Sequence, residues 1–180
     1  HCWNAPIARQ LVWPSNGAPK IGKSWLALTL CLCVAKGEPL WSFAAQQCSV
    51  LYLCLEDSYQ RIRCRLLDLT ENAPDTLHFS IIAEQLHGGL EQQIKRFLLE
   101  HPDTGLVIID TLQRVRGSGD SGNPYANDYR DIGALKALAD KHRIAILLVH
   151  RWSSLTGRCS LCSLHCCVSN RKSAPRLRPC

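Results

Sequence analysis

Three short aliphatic runs set the tightest limit on what this chain can fold into: VLYLCL at 50–55, LVII at 106–109 and IAILLV at 144–149. Each is apolar at successive rather than alternate positions, and each is bounded by polar residues. A strand that is apolar on both faces needs cover on both faces, which is the situation of a parallel sheet between helices. The segments between the runs can supply that cover. Their pattern predicts helices near 23–36, 58–69, 89–100 and 129–142, with weaker strands at 10–13 and 78–82. Strand alternating with helix implies an α/β fold, a mostly parallel sheet covered by helices on both faces. The 180 residues suffice for one such core.

Ahead of the first predicted helix, Gly17-Ala18-Pro19-Lys20-Ile21-Gly22-Lys23-Ser24 fits the spacing G-x-x-x-x-G-K-S. The glycines let the backbone wrap tightly, so that successive N–H groups converge on an anion. The helix beginning near Lys23 adds its positive end. Lys23 would bring a charge to the β- and γ-phosphates of a nucleoside triphosphate, and Ser24 a hydroxyl to Mg²⁺. Trp25 closes the expected nucleotide-binding stretch. The competing explanation is a chance match in a glycine-containing turn. The strongly apolar WLALTLCLCVA that follows speaks against it, since a helix packed under a sheet should look like this.

Two of the aliphatic runs deliver acids, and a third a histidine, to the carboxyl edge of the expected sheet, where ligands collect in such folds. LVIID ends in Asp110, the expected metal acid beside Ser24, although many buried strands end in an acid that merely caps the next element. VLYLCLED ends in Glu56 and Asp57. Glu56 is the candidate base for a water attacking the γ-phosphate; the plainer role, partner to the next helix N-terminus, suits Asp57 better. IAILLVH ends in His150. A lone histidine is often structural, but here it would contact the γ-phosphate or Glu56 and report the bound state. The candidate catalytic residues are therefore Glu56, Lys23 and His150.

The net charge of +6 is confined to the end of the chain. Residues 1–150 hold 15 basic and 15 acidic side chains, while residues 151–180 hold six basic ones and no acid. Charge therefore says little about partners of the main body. Cys31, Cys33 and Cys54 lie inside apolar runs and are expected to be small buried hydrophobes, not a secreted disulfide framework. Cys159, Cys162, His165, Cys166 and Cys167 are crowded too closely for a structural zinc site. No run is long enough to span a bilayer, and a cytoplasmic protein with no membrane partner is expected. The organisation expected is an irregular segment over 1–16 with a possible first strand, a core over 17–150, and a basic, cysteine-rich tail over 151–180.

Together, GAPKIGKSWLAL, VLYLCLEDSYQRIRCRL, LVIIDTLQRVR and NPYANDYRDIGALKALADKHRIAILLVH resemble the RecA-like ATPases of the plasmid and phage RepA replicative helicase group, a set of AAA-family ATPases. The resemblance covers residues 17–150. It implies a RecA-like P-loop NTPase core using ATP and Mg²⁺, with Glu56 as base, Lys23 and Ser24 on the phosphates and metal, Asp110 on the metal and His150 as sensor. It also implies a self-assembled ring, commonly a hexamer, acting on single-stranded DNA in replication or repair. The chain departs from the family after His150, where Arg151-Trp152 stands in place of a second histidine and a basic residue. That departure touches assembly and unwinding more than nucleotide binding.

Within this reading, the loop TLQRVRGSGDSGNPYANDY after Asp110 is expected to be long and mobile. Arg114 and Arg116 would face DNA phosphates there, offset by Asp120, Asp128 and Asp131. Arg61, Arg63 and Arg65 are expected on a solvated helix face. The alternatives to a DNA-coupled ATPase are a nucleotide-binding scaffold or regulator without unwinding activity, and a P-loop kinase. A kinase would need an arginine-rich lid that the sequence does not offer.

Overall fold

The computed structural model describes residues 10–13, 22–42, 44–116 and 124–149. Along the chain these form β1 (Gln10–Trp13), α1 (Lys23–Lys36), β2 (Ser49–Cys54), α2 (Tyr59–Leu69), β3 (Leu77–Ser80), α3 (Leu90–Glu100), β4 (Thr104–Asp110), α4 (Leu112–Val115), α5 (Pro124–His142) and β5 (Ala145–Val149). The five strands make one sheet in the order β1-β5-β4-β2-β3, and every neighbouring pair is parallel. This is the α/β architecture expected from the aliphatic runs.

β2, β4 and β5 are buried at every position, and alternation along each strand divides their side chains between two cores. Val50, Tyr52 and Cys54 of β2 join Leu106 and Ile108 of β4 and Leu147 of β5 beneath Leu28, Cys31, Leu32 and Ala35 of α1 and Ile62 of α2. Leu51, Leu53, Val107, Ile109, Ile146 and Leu148 face the other way, onto Leu90 and Ile94 of α3, Leu112 and Val115 of α4 and Leu135, Leu138 and Ala139 of α5. Each fully buried Leu or Ile contributes roughly 2–3 kcal/mol. The two cores meet only through the sheet, so the central strands serve both.

Local sequence explains where the flanking elements stop and start. α1 ends because Gly37 takes a left-handed φ of 72°. The N–H groups of Gly37 and Glu38 then turn back to Val34 O and Cys33 O at 3.2 and 2.8 Å. A Cβ at Gly37 would also stand 3.0 Å from that of Gln47, so any other residue there would be strained. α2 begins at Ser58, whose hydroxyl accepts the Arg61 N–H at 3.3 Å.

Four expectations are corrected. The segment after Asp110 is not one long loop: α4 follows at once, and α5 starts at Pro124, five residues ahead of the predicted 129. Leu112 and Val115, fully buried against the sheet, pull the chain into a helical turn that their short span hides in the sequence. Arg116 does not point to an outside ligand. Its Nε lies 2.7 Å from Asp131 Oδ2, and Asp131, 5% exposed, also meets His87 Nε2 at 2.9 Å. Those contacts fasten α5 to the end of α4 and to the segment before α3. Arg61 and Arg63 are exposed as expected, but Arg65 is half-buried and pairs with Asp57. Among the apolar-run cysteines, Cys31 and Cys54 are buried and Cys33 is only half-buried.

Asp120, residues 14–21, His150 and the tail lie outside the described residues. Among the described residues no helix is long and apolar enough to cross a membrane.

Because Ile109 is fully buried in β4 and packs with the α3–α5 side, Ile109→Ala should cost about 3 kcal/mol of stability. Urea unfolding at unchanged slope is the check.

Candidate active site

The carboxyl edge of the sheet is set by register. Cys54 of β2 pairs with Asp110 of β4, and Asp110 pairs with Val149 of β5. The Leu55 N–H then donates to Asp110 O at 2.7 Å, extending the β2–β4 ladder one residue past the last strand position. Glu56 therefore emerges beside the end of β4, directly after the last residue of the β2–β4 ladder. Thr111, buried, donates from Oγ1 to Glu56 Oε1 at 3.1 Å. Arg114, exposed on α4, brings its Nε to 3.9 Å from the same oxygen.

Asp110 follows the parity of Leu106 and Ile108 and so lies on the α1 side of the sheet. There it is hydrogen-bonded to Ser24 and accepts from Tyr52 Oη at 2.8 Å on Oδ2. Only 5% of Asp110 is exposed. Burial raises its carboxyl above the ordinary aspartate value; the bonds from Tyr52 and Ser24 pull it down, and the charges of Glu56 and Asp57 push it up again. Tyr52, buried beside that carboxylate, is held in its neutral, hydrogen-donating form by desolvation and then by the Asp110 charge.

At the other end of the Ser24–Asp110 contact is the first turn of α1. Gly22 holds a left-handed φ of 82° as its N-cap, no side chain caps the turn and no acid lies in it. The positive end of α1 is therefore directed at this edge without a carboxylate of its own to satisfy it. Lys23, Ser24 and Trp25 follow in that turn, half-buried, half-buried and 38% exposed. Arg65 of α2 places its guanidinium 5.8 Å above the Trp25 ring and pairs with Asp57, which Arg61 also meets at 3.0 Å. Asp57 thus takes the helix-partner role, leaving Glu56 as the carboxylate that faces β4.

The structure brings Gly22, Lys23, Ser24, Trp25, Glu56 and Asp110 to one edge. Gly17, Ala18, Pro19, Lys20, Ile21 and His150 lie outside the described residues, although β5 carries the chain to Val149 beside Asp110. Sequence reasoning missed Tyr52 and the link from Thr111 to Glu56. Tyr52 gave no signal in sequence, because its place depends on the register of Cys54 with Asp110.

A family model described as an AAA domain matches residues 11–153. The chain belongs to that family. An AAA domain is a P-loop ATPase fold, and the match takes in α1 through β5 whole and β1 from Leu11 on. No curated protein matches the chain.

The residues of this AAA domain fit Mg²⁺. Glu56 and Asp57 add negative charge around an already desolvated Asp110, an arrangement that a cation relieves. Among the described residues no group of three or more His, Cys, Asp or Glu side chains makes a metal cage by itself. Ser24 and Asp110 are the residues that would hold the ion.

The raised carboxyl of Asp110 gives a pH prediction. A carboxyl whose folded value lies above its unfolded one favours folding most when protonated, and that contribution is lost as pH rises through the folded value. At neutral pH the ionised group therefore weighs against the nucleotide-free fold. Asp110→Asn should melt higher than wild type at pH 7 without nucleotide or Mg²⁺, with the gap closing as pH falls through the raised folded value toward the ordinary aspartate value. Thermal melts across pH provide the check.

Proposed function

We propose that this AAA domain hydrolyses ATP to ADP and phosphate with Mg²⁺, and that turnover is coupled to single-stranded DNA in replication or repair. The observation that carries the hydrolase reading is the placement of Glu56 against the end of β4, hydrogen-bonded to Thr111 and next to the Asp110–Ser24 pair. A carboxylate at that point is within reach of the edge where the γ-phosphate of a nucleotide on α1 would lie.

In this mechanism the α1 amides and Lys23 hold the phosphates and concentrate positive charge where negative charge develops. Ser24 and Asp110 would hold Mg²⁺, which when bound would supply Lewis-acid neutralisation of the phosphate oxygens. Glu56 orients a water in line with the γ-phosphorus. The water oxygen bonds to phosphorus as the bond to the β–γ bridging oxygen breaks. Glu56 takes the proton released, and ADP carries away the bond's electron pair.

Coupling to DNA is supported by Arg114. It is exposed and sits on the first turn past Asp110, with its guanidinium near Glu56, so a phosphate backbone drawn to Arg114 would act on the base directly. The RepA-like sequence pattern supports a ring of identical subunits in which a neighbour completes the site, with His150 sensing the γ-phosphate. A scaffold that binds ATP without turnover is the competing outcome, since the chain departs from the RepA pattern after His150.

Glu56→Gln should lower ATP turnover about 100-fold or more while ATP binding stays within a few-fold of wild type. Arg114→Ala should leave binding intact and abolish stimulation by single-stranded DNA. Phosphate release with and without DNA, alongside equilibrium nucleotide binding, decides both. Wild type that binds ATP and never turns over at assembling concentrations would instead support the scaffold.

A further inference from the structure

Tyr52 is the one phenol among the described core residues, and its placement is not explained by packing alone. It occupies the second-last inward position of β2 on the α1 side, buried to 3% exposure between Phe79, at a ring-centroid separation of 5.9 Å, and the α1 floor. A phenylalanine would fill the same space. The register sets Tyr52 opposite Ile108 and Cys54 opposite Asp110, so Tyr52 and Asp110 are diagonal neighbours on one face, a distance that long side chains can span. The hydroxyl uses that reach to donate to Asp110 Oδ2 at 2.8 Å, with both groups buried. A buried phenol needs a partner and a buried carboxylate needs donors. Each meets the other's requirement.

We propose that Tyr52 is a positioning residue for Mg²⁺: by occupying Oδ2 of Asp110 from inside the sheet, it fixes the plane of the carboxylate and orients it toward Ser24 and the phosphate edge. Without this donor the carboxylate rotates about its last bond, and its orientation toward Ser24 is no longer set by the strand. Outer partners of metal-holding carboxylates act in this way, and their loss costs about 10-fold or more in metal affinity. Cys54, whose thiol is pushed up to about 12 chiefly by burial and donates to main-chain oxygens of Tyr52 and Ser80 at 3.7 and 3.5 Å, offers no substitute donor to Asp110. The inference rests on the Mg²⁺–nucleotide reading of the site.

The test is Tyr52→Phe, which deletes one oxygen and keeps the ring. Binding of a fluorescent ATP analogue would be titrated with Mg²⁺ and, separately, in EDTA. The expected result is a Mg²⁺ midpoint raised about 10-fold, with affinity in EDTA unchanged. An unmoved midpoint in a variant that still melts cooperatively overturns the proposal, and so does an equal loss of binding with and without Mg²⁺, which would make Tyr52 a packing residue. Wild type gives a second readout that does not depend on the variant folding. The buried Tyr52 hydroxyl proton exchanges slowly and should shift in the NMR spectrum when Mg²⁺ is added to the nucleotide-bound protein. A resonance that stays in place overturns the proposal too. Should wild type bind no nucleotide under any Mg²⁺ concentration, the reading of the site fails and this inference falls with it; nucleotide binding with an unmoved midpoint removes only the inference.

Discussion

The pairing of β2 with β4 is the constraint on which the site depends. Cys54 stands beside Asp110, and the Leu55 N–H continues the ladder to the Asp110 carbonyl. That alignment does two things at once. It carries Glu56 out of the sheet alongside the end of β4, where Thr111 can reach it, and it sets Tyr52 one step behind Asp110 on the α1 side. Both strands are buried throughout, so the alignment is enforced by two hydrophobic cores rather than by the polar groups it positions. The polar groups are passengers of the packing.

The electrostatics of the edge follow from that placement. Asp110 is desolvated, has neutral donors in Tyr52 and Ser24, and feels two further carboxylates. Charge of the opposite sign comes from the uncapped start of α1 on one side and from Arg114 on the other. Asp57, by contrast, is committed to Arg61 and Arg65, which separates the roles of two acids that are adjacent in sequence.

Much of this was legible before any coordinates. The aliphatic runs VLYLCL, LVII and IAILLV located three buried strands because strands covered on both faces cannot be anything but apolar. Gly22, Lys23 and Ser24 were marked by spacing, and Glu56 and Asp110 by their position after such runs. α4 was not legible: four residues show no helical period, and only the contact of Leu112 and Val115 with the sheet makes them a turn of helix. The same blindness to tertiary contact gave Arg116 an outward role, when a buried partner further along the chain, Asp131, claims it. Tyr52 was hidden for a different reason. In an apolar run its ring looks like core filling, and its hydroxyl acquires meaning only once β4 is known to lie alongside.

The division of β2 and β4 into two alternating sets has a consequence for how such a chain can change over time. Substitutions among the α3 and α5 side chains of that core bear first on stability, because the sheet stands between them and Asp110. A single inserted or deleted residue inside β2 is another matter. It would send Tyr52 to the opposite face from Asp110 and exchange the two cores' side chains wholesale. The number of residues in that strand is therefore as much a part of the chemistry as their identity, and length variation in this fold has to be taken up in the connections instead.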